Sequence, residues 1–84
     1  MALTDKEQEE FVMLVGERLD QIKDAIPYIE TTHEASSFVV GSVGTLNYLA
    51  KKLLSPDTYN VLDKHIDSEV KVINKMIERI RHIQ

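Results

Sequence analysis

Cysteine is absent from this sequence, and its absence excludes disulfide staples and thiolate metal sites. Only three glycines and two prolines interrupt the chain, and neither an internal repeat nor a low-complexity segment is present. No apolar run approaches the ~20 residues that a membrane span requires. The opening segment, MALTDKEQEE, is acidic and leads into no apolar stretch, so no signal peptide is expected. The default expectation is a cytoplasmic protein with no membrane contact. An HExxH arrangement is missing, and the three histidines are scattered, which leaves no metal-ligand spacing and no expected cofactor. No nucleophile sits beside a base in a recognisable pattern, so catalytic residues are expected to be none and the protein is not expected to be an enzyme.

What remains is a small chain with an ordinary globular composition, 43% hydrophobic and 29% charged. Its 84 residues make one domain. A chain of this length buries only roughly 60–65% of its unfolded surface, so one core leaves it marginal unless something is added. Without cysteine, the expected addition is a partner subunit.

The net charge of −4 is unevenly spread. Residues 1–34 hold nine acids against Lys6, Arg18 and Lys23, whereas residues 35–84 hold five acids and seven bases. Such asymmetry suits intramolecular pairing, head-to-tail contact or a charged protein partner. It argues against nucleic acid, which the chain as a whole would repel.

Periodicity divides the sequence into three helices, at about 5–26, 32–54 and 56–83. Thr4-Asp5-Lys6-Glu7 has the form of a capping box, and Phe11, Leu14, Val15, Ile22, Ala25, Ile26 and Ile29 follow at helical spacing. Pro27 ends or kinks this first helix. Thr31-Thr32-His33-Glu34 is a second candidate capping box. Ser55-Pro56-Asp57 supplies an N-cap with proline at the first helical position. Helices of this length joined by tight connections imply an all-α fold, a small antiparallel three-helix bundle completed by self-association. A helical hairpin that dimerises into a larger bundle is the alternative.

The central helix is the unusual one. Ala35 to Ala50 contains no charged residue. One side is broadly apolar, filled by Ala35, Phe38, Val39, Ser42, Val43, Leu46, Leu49, Ala50 and Leu53, while the other carries Ser37, Gly41, Gly44 and Tyr48 in place of the charges a surface helix would show. Both sides are therefore expected to touch protein. The third helix has a main stripe of Tyr59, Leu62, Ile66, Ile73, Ile77 and Ile80. Val61, Val72, Met76 and Ile83 form a second stripe, making an apolar arc wider than one neighbour needs. Ser37, Gly41, Gly44, Tyr48, Val61, Val72, Met76 and Ile83 are thus the candidate oligomer interface, for a homo-oligomer of at least two copies. Lys64, Lys71, Lys75 and His82 form a ridge, either solvated or a dock for an acidic partner such as the first helix of another copy.

Three polar residues fall where apolar ones belong. Arg18 lies between Leu14 and Ile22, and Glu69 lies within the broad arc of the third helix, one turn beyond His65. A charge buried alone is costly, so Arg18 and Glu69 are expected to pair or to reach solvent. Arg18, His65 and Glu69 form the candidate polar site. His33 sits in a first helical turn beside Glu34, whose carboxylate opposes phosphoryl transfer. By exclusion, the expected function is protein–protein interaction: a small regulator, adaptor or chaperone-like subunit. The alternative is a small-ligand binder whose pocket is lined by Arg18, Tyr48, His65 and Glu69.

Overall fold

Thr4 and Glu7 exchange bonds where the first helix begins, α1 (Asp5–Ala25). Thr4 Oγ1 accepts from the Glu7 N–H at 3.1 Å, and Glu7 Oε1 accepts from the Thr4 N–H at 2.9 Å. The predicted capping box is therefore complete, and it satisfies amides that the start of a helix leaves without partners. Its backbone bond first, and then the Thr4 hydroxyl, hold the Glu7 carboxyl below the usual carboxylate range. The computed structural model describes residues 3–83, with side chains described for residues 3–80.

Pro27 lacks an N–H, so the α1 ladder cannot continue through it. The chain tightens instead into a 3-10 turn over Ile26–Tyr28, closed by the Ile29 N–H on the Ile26 carbonyl at 3.1 Å. The second helix, α2 (Thr32–Leu53), starts where Thr31 Oγ1 accepts from the Glu34 N–H at 3.1 Å. Among the described residues Glu34 returns no bond to Thr31, so this second box is only half made. The third helix, α3 (Pro56–Ile83), starts behind Ser55. The Ser55 Oγ accepts from the Thr58 N–H at 3.4 Å and donates to Thr58 Oγ1 at 3.0 Å. All three helices fall within a residue of their expected bounds.

The helices pack as an antiparallel, up-down-up bundle of 46 × 17 × 16 Å. At about 1.5 Å per residue the 28 residues of α3 span about 42 Å, nearly the whole length. One seam of side chains fills the interior. It takes Val15, Leu19, Ile22 and Ile26 from the α1 side, Ala35, Val39, Ala50 and Leu54 from the α2 side, and Leu62, Ile66, Ile73 and Ile77 from α3. Residues 15, 19, 22 and 26 recur at four, three and four, which keeps them on one face as α1 turns. No polar or charged residue is buried among the described residues.

Two side chains pin the helices at fixed heights. Gln8 Oε1 accepts from the Ser55 N–H at 3.0 Å, while its Nε2 donates to the Leu3 carbonyl at 3.1 Å. The start of α1 is thereby tied to the α2–α3 turn. Asn47 does the same between α2 and α3: its Oδ1 accepts from the Tyr59 hydroxyl at 2.8 Å and its Nδ2 donates to Asp63 Oδ1 at 3.0 Å.

Three sequence-based placements need correction. Leu14 is 61% exposed whereas Leu19 is 1% exposed, so the α1 stripe is centred one step away from the expected line. Phe38 and Leu49 lie at the margin of the α2 contact face rather than inside it. The expectation that both sides of α2 touch protein is not met within the chain. Ala35, Val39 and Ala50 face inward, and the side of Ser37, Gly41, Gly44 and Tyr48 faces outward and uncovered. A bundle of three gives each helix two neighbours, both on the same half of its circumference.

Candidate functional site

Within the chain, Arg18 and Glu69 are not partners. The buried line through Val15, Leu19 and Ile22 turns Arg18 toward α2, where it borders a shallow crevice of about 290 Å³ with Phe11, Leu14 and Leu46. Its side chain is exposed, as a long cationic chain with its stem on apolar neighbours can be. Glu69 lies on the opposite side of α1, against Lys23. The Lys23 Nζ stands 2.6 Å from Glu69 Oε2 and 3.3 Å from Asp20 Oδ1.

The Glu69 Oε2 is cut off from solvent, and Lys23 is its only polar neighbour at contact distance among the described residues. The bond to Glu69 first, and then the bond to Asp20, push the Lys23 ammonium above its ordinary pKa. Lys23 therefore takes the role expected of Arg18. The sequence signal was present, since Lys23 follows the buried Ile22 directly and stands one turn after Leu19. Four residues separate 15 from 19 and 19 from 23, so Lys23 borders the core whenever that line is chosen as its centre.

His65 is exposed on the rim of a broad concavity and makes no ion pair with Glu69 among the described residues. This is an open groove of about 990 Å³ between the N-terminal halves of α1 and α3. Val12, Met13, Val61 and Leu62 form its apolar floor, and Asp5, Glu9 and Asp57 form an acidic rim. Met13 and Val61 are 67% and 72% exposed, among the most open large apolar side chains of the bundle. Arg18, His65 and Glu69 thus occupy three separate places and make no joint site. Among the described residues no three His, Asp or Glu side chains gather as a metal-binding group.

The candidate interface residues divide between two faces. Ser37, Gly41, Gly44 and Tyr48 lie on the outer side of α2, with Lys52 Nζ 5.6 Å above the Tyr48 ring. A Cβ placed on Gly41 or Gly44 would meet nothing within 4 Å, so no neighbouring backbone of the chain demands glycine there. Val61 lines the groove between α1 and α3, Val72 lies farther along α3, and both are exposed. Met76 instead packs partly against the core, which corrects its assignment to an outer stripe. The side chains of Ile83 and of His82, the end of the basic ridge, lie outside the described residues. Gly41→Ala is expected to raise the stability of the chain by about 1 kcal/mol in a denaturant melt, because alanine removes most of the glycine penalty in a helix and the site has room. A loss of stability would mean that another backbone covers this face.

No helix among the described residues is long and apolar enough to cross a membrane. Compared with known proteins, the chain matches no protein-family model, no curated protein and no solved structure.

Proposed function

We propose that the protein is a small protein–protein interaction module, a regulator, adaptor or chaperone-like subunit of the cytoplasm that works as a homo-oligomer and is not an enzyme. One observation supports this reading above the others. Large apolar side chains are exposed on helix faces that no described residue covers: Met13, Val61 and Val72 on α1 and α3, and Val40 and Tyr48 on α2. Grouped exposed apolar residues rimmed by charge characterise surfaces that bind protein. The thin bundle also gives a reason for association, since a single seam of core side chains leaves much of each helix outside.

The small-ligand reading draws no support from the residues that suggested it. Arg18, Tyr48, His65 and Glu69 line four different surroundings, and the concavity that His65 borders is an open groove rather than an enclosed pocket. Multi-angle light scattering on the purified chain at tens of micromolar tests self-association. The expected mass is at least twice 9.6 kDa. A single species at 9.6 kDa across that range would overturn it.

A further inference from the structure

The third helix is divided in charge along its length. Residues 56–69 hold Asp57, Asp63, Asp67 and Glu69 against Lys64, whereas residues 70–84 hold Lys71, Lys75, Arg79 and Arg81 against Glu78. Its acidic end lies beside the start of α1, because the up-down-up order runs α1 and α3 parallel and Gln8 is bonded to Ser55. Asp5, Glu9 and Asp57 therefore rim one end of the α1–α3 groove. Lys75 and Arg79 are exposed farther along the same helix. None of these five residues enters an ion pair among the described residues.

A second stripe runs along α3 between these charges. Val61, His65, Ser68, Val72, Lys75 and Arg79 recur at four and three, the spacing of a two-helix seam, and all are exposed. We propose that this face binds a second copy of the chain, with the two α3 helices antiparallel across a two-fold axis between His65 and Ser68. The inference deepens the self-association proposed above and rests on it. About that axis the stripe is its own complement. Val61 meets Val72 of the second copy, His65 meets Ser68, and Thr58 meets Lys75. The cation of Lys75 then arrives beside Asp57 and Glu9, with Arg79 following toward Asp5. Each copy supplies both halves, which a closed two-fold interface requires. The apolar groove floor of Met13 and Val61 is covered in the same step. A parallel arrangement would instead set acid against acid and base against base, and it is disfavoured for that reason.

The protein has no native thiol, so a single introduced cysteine reports its own position. Ser68→Cys, close to the axis, is expected to give a disulfide-linked dimer in air, because the two thiols fall within bonding reach. Gly41→Cys, on the outer side of α2, is expected not to. In light scattering, the paired reversal Lys75→Glu/Arg79→Glu is expected to raise the dissociation constant by at least about tenfold. Glu9→Lys/Asp57→Lys should do the same, and an equimolar mixture of the two variants should dimerise again. Circular dichroism establishes that each variant retains its helices, and the cysteine variants keep the question answerable if a reversal unfolds the chain. A wild-type dimer that cross-links through Gly41→Cys but not Ser68→Cys would overturn this face and leave self-association standing. A wild type that stays at 9.6 kDa would overturn both.

Discussion

In urea, Ile73→Ala is expected to unfold the protein at a markedly lower midpoint, with a loss of about 2–5 kcal/mol. Ile73 is fully buried at the middle of α3, in the seam with Ile66 and Ile77. Truncation removes the transfer free energy of its outer carbons and leaves a void that neighbouring helices only partly close. An 84-residue domain has roughly 4–13 kcal/mol in total, so this one change can consume half of it or more. The slope of free energy against urea should stay unchanged, which separates lost stability from a changed unfolded state. Val40→Ala is the matched control. Val40 is exposed on α2, and its truncation should move stability by no more than about 0.5 kcal/mol. Equal effects of the two substitutions would show that the seam is not where the core lies.

That seam was legible from spacing in α3 and less so in α1 and α2. Leu62, Ile66, Ile73 and Ile77 fall on the main stripe read from the sequence, beside the second stripe of Val61 and Val72, and the structure buries all four. In α1 the apolar residues occupy adjacent positions, Leu14 beside Val15 and Phe11 beside Val12, so two lines a step apart are both consistent with periodicity. Which line wins depends on where α2 and α3 sit, and that is a tertiary choice. The helix ends were clearer, because Thr4, Thr31, Ser55, Pro27 and Pro56 act through local bonds or local sterics that no distant contact has to supply.

The polar residues were legible in kind but not in pairing. A carboxylate at position 69 is expected to find a cation or reach solvent, and that much follows from its place within an apolar arc. Choosing Lys23 over Arg18 required the rotation of α1, and a rotation of about 100° per residue changes the neighbour completely. Gln8 and Asn47 gave even less warning. Gln8 looks like an ordinary first-turn residue until the α2–α3 turn arrives beside it, 47 positions later. Asn47 falls inside the uncharged stretch of α2 and acquires meaning only when Tyr59 and Asp63 come level with it.

Lys23→Met is expected to cost about 1–3 kcal/mol, because it leaves the Glu69 Oε2 shielded from water and without an acceptable partner. Both side chains keep some contact with solvent, at 26% and 20%, which holds the effect below that of a fully buried pair. Glu69→Leu should cost less, since Lys23 keeps Asp20 at 3.3 Å and an apolar residue suits the site. The double variant Lys23→Met/Glu69→Leu should recover most of the loss, giving a coupling of about 1 kcal/mol or more in a double-mutant cycle. The pair Arg18→Met and Glu69→Leu, on opposite sides of α1, should be additive. Alkaline pH offers an independent check. Lys23 has a folded pKa above its unfolded value, so its contribution is fully present below about pH 10.4 and is lost as pH rises through the raised folded value. The wild type should therefore lose more stability across that alkaline window than the double variant does. If the two titrate alike, and the cycle shows no coupling, the contact between Lys23 and Glu69 contributes nothing to holding α1 against α3.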